Sequence, residues 1–201
     1  MGRDKSLIEL AGKPLIRHAV DVLGAAGLTP RIAGAQSDLS QFAPILQDDA
    51  CGCGLGPLSG ICSALAVAAT HFAFFLPVDL PLMPGSLIAY LLHHAEITQS
   101  AFTVVSIAGF VQTFPVVIDR AALPMLRSSL LSPDRNCLRS FRAAADTLVK
   151  PFSVLPVELL VQAGNVFHPQ GIPPALWFLN INSPQDLVRA EHLADRDLQV
   201  S

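Results

Sequence analysis

A carboxylate, a glycine-rich turn and a row of arginines are the parts of this sequence whose types and spacing suit chemistry. The carboxylate is Asp79, which follows the apolar run Phe72-Ala-Phe-Phe-Leu-Pro-Val78. That run is read as a strand buried on both faces, the kind found inside a parallel sheet. Pro81 turns the chain just after it, so Asp79 is expected at the carboxyl edge, where open α/β sheets bind ligands. A carboxylate there, with few acidic neighbours in sequence, suits a hard cation such as Mg²⁺ held against a phosphate. The alternative is a carboxylate that merely caps its own turn, and this stretch alone does not separate the two.

The turn is Cys51-Gly-Cys-Gly-Leu-Gly-Pro-Leu-Ser-Gly60. Its backbone can approach a ligand closely. It leads into a small-residue helix over 61–69, whose positive end offers N–H groups to an anion. Many glycine loops only turn, so this signal is weak by itself. Arg135, Arg139 and Arg142 recur at roughly helical spacing; a solvated face is the default, a grip on a phosphorylated substrate the alternative. Cys51, Cys53, Cys62 and Cys137 lack the second close pair that a structural zinc site needs, and are read as reduced, space-filling thiols. His168, in a loop rich in Gly and Pro, is read as a surface residue.

The elements that must position these groups alternate in type. Pro14 opens a helix that Gly27 closes; a short strand follows over 31–34, a helical turn within 38–46, and then the loop, its helix and the strand ending at Asp79. Further on come a helix over 84–94, strands over 101–107 and 112–118, helices over 120–131 and 135–145, and an edge strand over 149–155. A last buried strand is expected over 177–182, and Ser183-Pro184 caps the final helix. Alternation without repeat or composition break predicts one doubly wound, three-layer α/β domain over 1–201, with a mostly parallel sheet.

Composition agrees. The chain has 201 residues, enough for one sizeable core, and is 51% hydrophobic but only 14% charged. Residues 50–78 carry no charged side chain, yet glycine, proline and His71 interrupt them, so no membrane span is expected. A net charge of −3 argues against a broad nucleic-acid surface. The amino end shows no secretory signal, and a cytoplasmic protein is expected.

Several short pieces occur in one order: Gly2-Arg-Asp-Lys5, Gly12-Lys-Pro-Leu15, Gly56-Pro-Leu-Ser-Gly60, Val78-Asp-Leu-Pro81 and Asn180-Ile-Asn-Ser-Pro184. In this order they resemble the molybdenum cofactor guanylyltransferases, within the Rossmann-like nucleotidyltransferases, and the Gly-Pro-Leu-x-Gly form favours the guanylyl branch. The resemblance implies a Mg²⁺-dependent enzyme that transfers GMP from GTP to molybdopterin, forming the guanine dinucleotide cofactor and pyrophosphate. It implies that Lys5 neutralises the triphosphate and that Asp49, Gly56, Pro57, Leu58 and Gly60 contact the nucleotide. Asp79 would bind Mg²⁺ and the phosphates. Asn180 and Asn182 would line the acceptor side, with Arg135 or Arg139 on the molybdopterin phosphate. Molybdoenzymes or their chaperones are the further partners it suggests.

One departure sits at the front. Family members begin with a buried strand and a loop of the form Leu-Ala-Gly-Gly-x-Ser-x-Arg-Met-Gly, whereas this sequence opens at what matches the Met-Gly. A slot is therefore expected in the sheet between the strands at 31–34 and 72–78. A relative that binds nucleotide without turnover is the non-enzymatic alternative; a cytidylyl or sugar-phosphate nucleotidyltransferase is the alternative within the enzymes.

Overall fold

The computed structural model describes residues 4–34, 37–46, 56–132 and 136–194. The chain starts with a 3₁₀ turn, Lys5–Leu7, and a two-stranded hairpin, β1 (Glu9–Leu10) and β2 (Lys13–Pro14). Ala11 and Gly12 form the connecting turn with φ of 49° and 73°, the left-handed pair that suits tight hairpins. Pro14 then caps helix α1 (Leu15–Ala25), as its fixed φ favours. Strands β3 (Ile32–Ala33) and β4 (Ile45–Leu46) pair in parallel as a small sheet of their own.

Helix α2 (Pro57–Val67) precedes β5 (Phe72–Phe75). β5 is shorter than the apolar run predicts, because Pro77 has no N–H to give a ladder and the chain turns there, Leu80 N–H donating to the Pro77 carbonyl at 3.4 Å. Helix α3 (Gly85–Thr98) leads to β6 (Phe102–Ile107) and the long β7 (Phe110–Asp119). Helices α4 (Leu123–Leu130) and α5 (Cys137–Leu148) follow, then β8 (Phe152–Pro156). Short helices α6 (Val157–Gln162) and α7 (Pro174–Trp177) precede the final α8 (Pro184–Ala194).

The main sheet has the order β5-β7-β6-β8. β7 runs against both neighbours, while β6 and β8 are parallel, so three of its four strands share one direction and β7 alone is reversed. That reversal follows from the two-residue link Ala108-Gly109: a hairpin joins antiparallel strands, whereas parallel ones need a crossover. One core packs α3, α6, α7 and parts of α1 and α8 on one face of the sheet, with Leu87, Ile88, Leu91 and Trp177 buried. A second core packs α2, α4 and α5 on the other face, where Phe141 stacks on Phe102 at 4.9 Å. This is the expected three-layer α/β arrangement.

The segment over 177–182 is not a strand. Pro173 and Pro174 start a helical turn, Leu179 N–H bonds back to the Leu176 carbonyl, and Trp177 donates its indole N–H to the Ile172 carbonyl at 2.7 Å. Trp177 and Ile181 are buried as a strand would bury them, but they cover the sheet's face rather than extend its ladder.

The slot is present. β3 pairs with β4 and β5 with β7, and no ladder joins β3 to β5 among the described residues. A cavity of about 1040 Å³ lies between them. Ala19 and Leu23 of α1 line it, Gly60, Ile61 and Ala64 of α2 line it, and the two strands form its sides. All four residues of β5, including Phe72, Phe74 and Phe75, are consequently only half-buried.

Candidate active site at the carboxyl edge of the sheet

Asp79 lies in the turn just beyond β5, half-buried. Its backbone carbonyl accepts the N–H of Ile181 at 3.0 Å, which fastens the segment around Asn180 and Asn182 to the strand exit. Ile181 is itself buried in the core, so this fastening is anchored by packing as well as by a hydrogen bond.

Lys5 reaches the same place from the other end of the chain. Its Nζ donates to Asn182 Oδ1 at 2.8 Å, across 177 positions of sequence. Asp4 sets the Lys5 backbone: one carboxylate oxygen accepts both the N–H and the hydroxyl of Ser6, at 3.0 and 2.8 Å, and Ser6 is buried. On the opposite side Asp186 closes the turn before α8. Its carboxylate accepts the Asn182 N–H at 3.1 Å and both the N–H and hydroxyl of Ser183 at 2.8 Å, while Asp186 N–H returns a bond to the Ser183 hydroxyl at 3.2 Å. This is a capping box, two ends of a helix start satisfying one another. The Ser183 hydroxyl and the Asn182 amide hold the Asp186 carboxyl below its ordinary pKa.

The glycine loop contributes its last residues. Gly56 precedes α2 with φ 83° and ψ −167°, a conformation essentially confined to glycine, and Pro57 takes the first helical position. Both are exposed, and both line the cavity. A Cβ on Gly60 would stand 3.3 Å from Ala33 Cβ, so this glycine lets α2 approach β3 closely. Leu58 is 1% exposed and packs in the core beside Ile61 and Leu65. Its side chain belongs to the core, so any nucleotide contact at Leu58 falls to its backbone at the start of α2.

The other predicted residues fare differently. Asn180 is exposed next to Ile181, on the same segment as Asn182. Arg139 is exposed on α5, in the helical layer opposite the one that holds Trp177 and Ile181, and is not brought to the Lys5–Asn182 pair. The Arg142 guanidinium lies 5.5 Å above the Phe152 ring, a packing role. Asp49 and Arg135, like Cys51 and Cys53, lie outside the described residues. Cys62 is buried and Cys137 half-buried, both as free thiols, and burial raises the pKa of the Cys137 thiol. Asp186 and Asp4 escaped the sequence reading, although Ser183-Pro-Gln-Asp186 is a capping-box spacing visible in the sequence.

Among the described residues no group of three His, Cys, Asp or Glu side chains converges as a metal cage. Asp79 as a single carboxylate fits Mg²⁺ nonetheless, because that ion usually takes one or two carboxylates and completes its shell with substrate phosphates and water.

The α/β sheet that carries this edge has the fold of solved nucleotidyltransferases. The molybdopterin-guanine dinucleotide biosynthesis protein A of Archaeoglobus fulgidus superposes with a TM-score of 0.75 at 19% identity, over 96% of this chain and 92% of that one. The fold is thus the Rossmann-like α/β fold of solved nucleotidyltransferases. Residues 1–148 match the model of the MobA-like NTP transferase domain, and the chain belongs to that family. Curated relatives include the molybdenum cofactor guanylyltransferases of Vibrio cholerae, 29% identical over 94% of this chain and 83% of the relative, and of Rhodopseudomonas palustris strain HaA2, 31% identical over 98% and 86%. No helix among the described residues is long and apolar enough to cross a membrane.

Proposed function

We propose that this protein transfers GMP from GTP to the terminal phosphate of molybdopterin, forming the guanine dinucleotide cofactor and releasing pyrophosphate. The observation that carries the reading is the meeting of Lys5, Asp79 and the 180–182 segment at one sheet edge, drawn from the start, middle and end of a chain whose relatives bear the guanylyltransferase name. Little covalent work falls on the protein in such a transfer; positioning and charge compensation dominate. Lys5 stabilises the negative charge that grows on the phosphates. Asp79 holds Mg²⁺, which when bound withdraws charge from the phosphate oxygens. Gly56, Pro57 and Gly60 form the wall against which base and ribose lie, and Asp49 is the further candidate for holding the nucleotide. Asn180 and Asn182 face the acceptor side, with Arg135 as the candidate for the acceptor phosphate.

The test is pyrophosphate release measured with GTP and with CTP, each with Mg²⁺ and molybdopterin. Release with GTP alone supports the reading; release with CTP alone overturns the base assignment. Binding of GTP without any release favours the second reading, a nucleotide-binding relative without turnover.

A further inference from the structure

Lys5 donates to a neutral amide oxygen at this edge, not to a carboxylate. Two acids on the flanking segments are engaged elsewhere: Asp4 takes Ser6, and Asp186 takes Asn182 N–H and Ser183. Asn182 is exposed, so this bond is not a burial requirement of the fold. An amide can orient an ammonium without cancelling its charge, whereas an aspartate in the same place would form an ion pair and compete with an incoming polyanion. The Asn182 backbone is in turn fixed from two sides, by Asp186 on its own N–H and by the bond from neighbouring Ile181 to the Asp79 carbonyl.

We infer that Asn182 is a positioning residue for the nucleotide side of the site: it aims the Lys5 ammonium at the triphosphate while leaving that charge uncompensated, and Asp186 holds Asn182 in place. This deepens the proposed function and rests on its placement of Lys5 at the triphosphate. It replaces the acceptor-contacting role given to Asn182 there, leaving Asn180 to the acceptor.

The experiment uses calorimetric titration of the full chain with inorganic tripolyphosphate plus Mg²⁺, with Mg-GTP, and with molybdopterin. The variants are Asn182→Asp, Asn182→Ala, Asp186→Asn and Lys5→Met, with the Lys5→Met/Asn182→Asp double variant. Asn182→Asp is expected to weaken tripolyphosphate and Mg-GTP by about tenfold through charge cancellation. Asn182→Ala and Asp186→Asn should weaken them by a few-fold, about the loss of one oriented hydrogen bond. Molybdopterin affinity should stay within twofold in all of them. In the Lys5→Met background Asn182→Asp should cost much less, the non-additivity of residues acting on one another.

The opposite pattern, intact tripolyphosphate affinity with lost molybdopterin affinity, overturns the inference and returns Asn182 to the acceptor. So does an equal loss from Asn182→Asp with and without Lys5. A wild-type chain that binds tripolyphosphate but not Mg-GTP would overturn the base assignment alone, since the tripolyphosphate carries no base. A thermal melt of each variant separates unfolding from lost binding.

Discussion

The slot between β3 and β5 makes a quantitative prediction. Placing an apolar strand of five residues ahead of Asp4, through a short glycine-containing linker, should let that strand enter the slot parallel to β5. The site is suited to it: two strand edges flank it, and apolar residues of α1 and α2 cover it above and below. Pairing along the four residues of β5 and the two of β3 offers about six backbone hydrogen bonds. At about 1 kcal/mol net each, these roughly offset the ordering of five residues at about 1.5 kcal/mol apiece. The gain then comes from burying side chains, about 1.5–3 kcal/mol for each large apolar one, and from completing the half-buried Phe72, Phe74 and Phe75. Allowing for partial burial, a net stabilisation of about 5 kcal/mol is expected, which at this chain length corresponds to a rise in Tm of about 10–20 °C. Calorimetric melts of the chain with a Val/Ile-rich strand and with a strand carrying aspartates on both faces form the comparison. Hydrogen exchange should show new protection of the β5 amides with the apolar strand only. Equal melting temperatures for the two versions, or unprotected β5 amides, would refute the slot as a strand site.

Four further outcomes follow from single residues. Asp79→Asn should abolish Mg²⁺-dependent transfer with Tm unchanged, since an isosteric amide replaces a half-buried carboxylate; transfer assays and a melt check both halves. Gly56→Val should lower stability by about 1–3 kcal/mol as well as nucleotide affinity, because its φ of 83° strains any side chain although no atom would clash; denaturant titration measures the first effect. Lys150→Met should destabilise by about 2–3 kcal/mol, since Lys150 Nζ bonds the fully buried Asp119 carboxylate, which among the described residues keeps the Ala121 N–H and His71. Burial lowers the His94 pKa below 6.5, so the folded state resists the proton that the unfolded chain accepts; stability should fall as pH drops below about 6.5, and His94→Gln should flatten that slope in melts across pH.

Much of the architecture could be read from local signals because those signals are local in origin. Pro14 at the head of α1, Ser183-Pro184 at the head of α8 and the apolar run ending near Asp79 act through their own backbone and periodicity. The same order of motifs also identified the family, and the misplaced strand at 177–182 shows where such signals fail. A strand and an irregular cover bury Trp177 and Ile181 equally, and only the partner of each backbone N–H distinguishes them. The reversed direction of β7, the burial of Leu58 and the shortness of β5 were likewise decided by packing around them. Above all, the sequence by itself marked Lys5 and Asp79 as candidates for the phosphates and Asn182 as a candidate for the acceptor side. The tertiary structure decided that Lys5 meets Asn182 across 177 positions, because a hydrogen bond depends on distance in space, and three elements folding onto one sheet edge supply that distance.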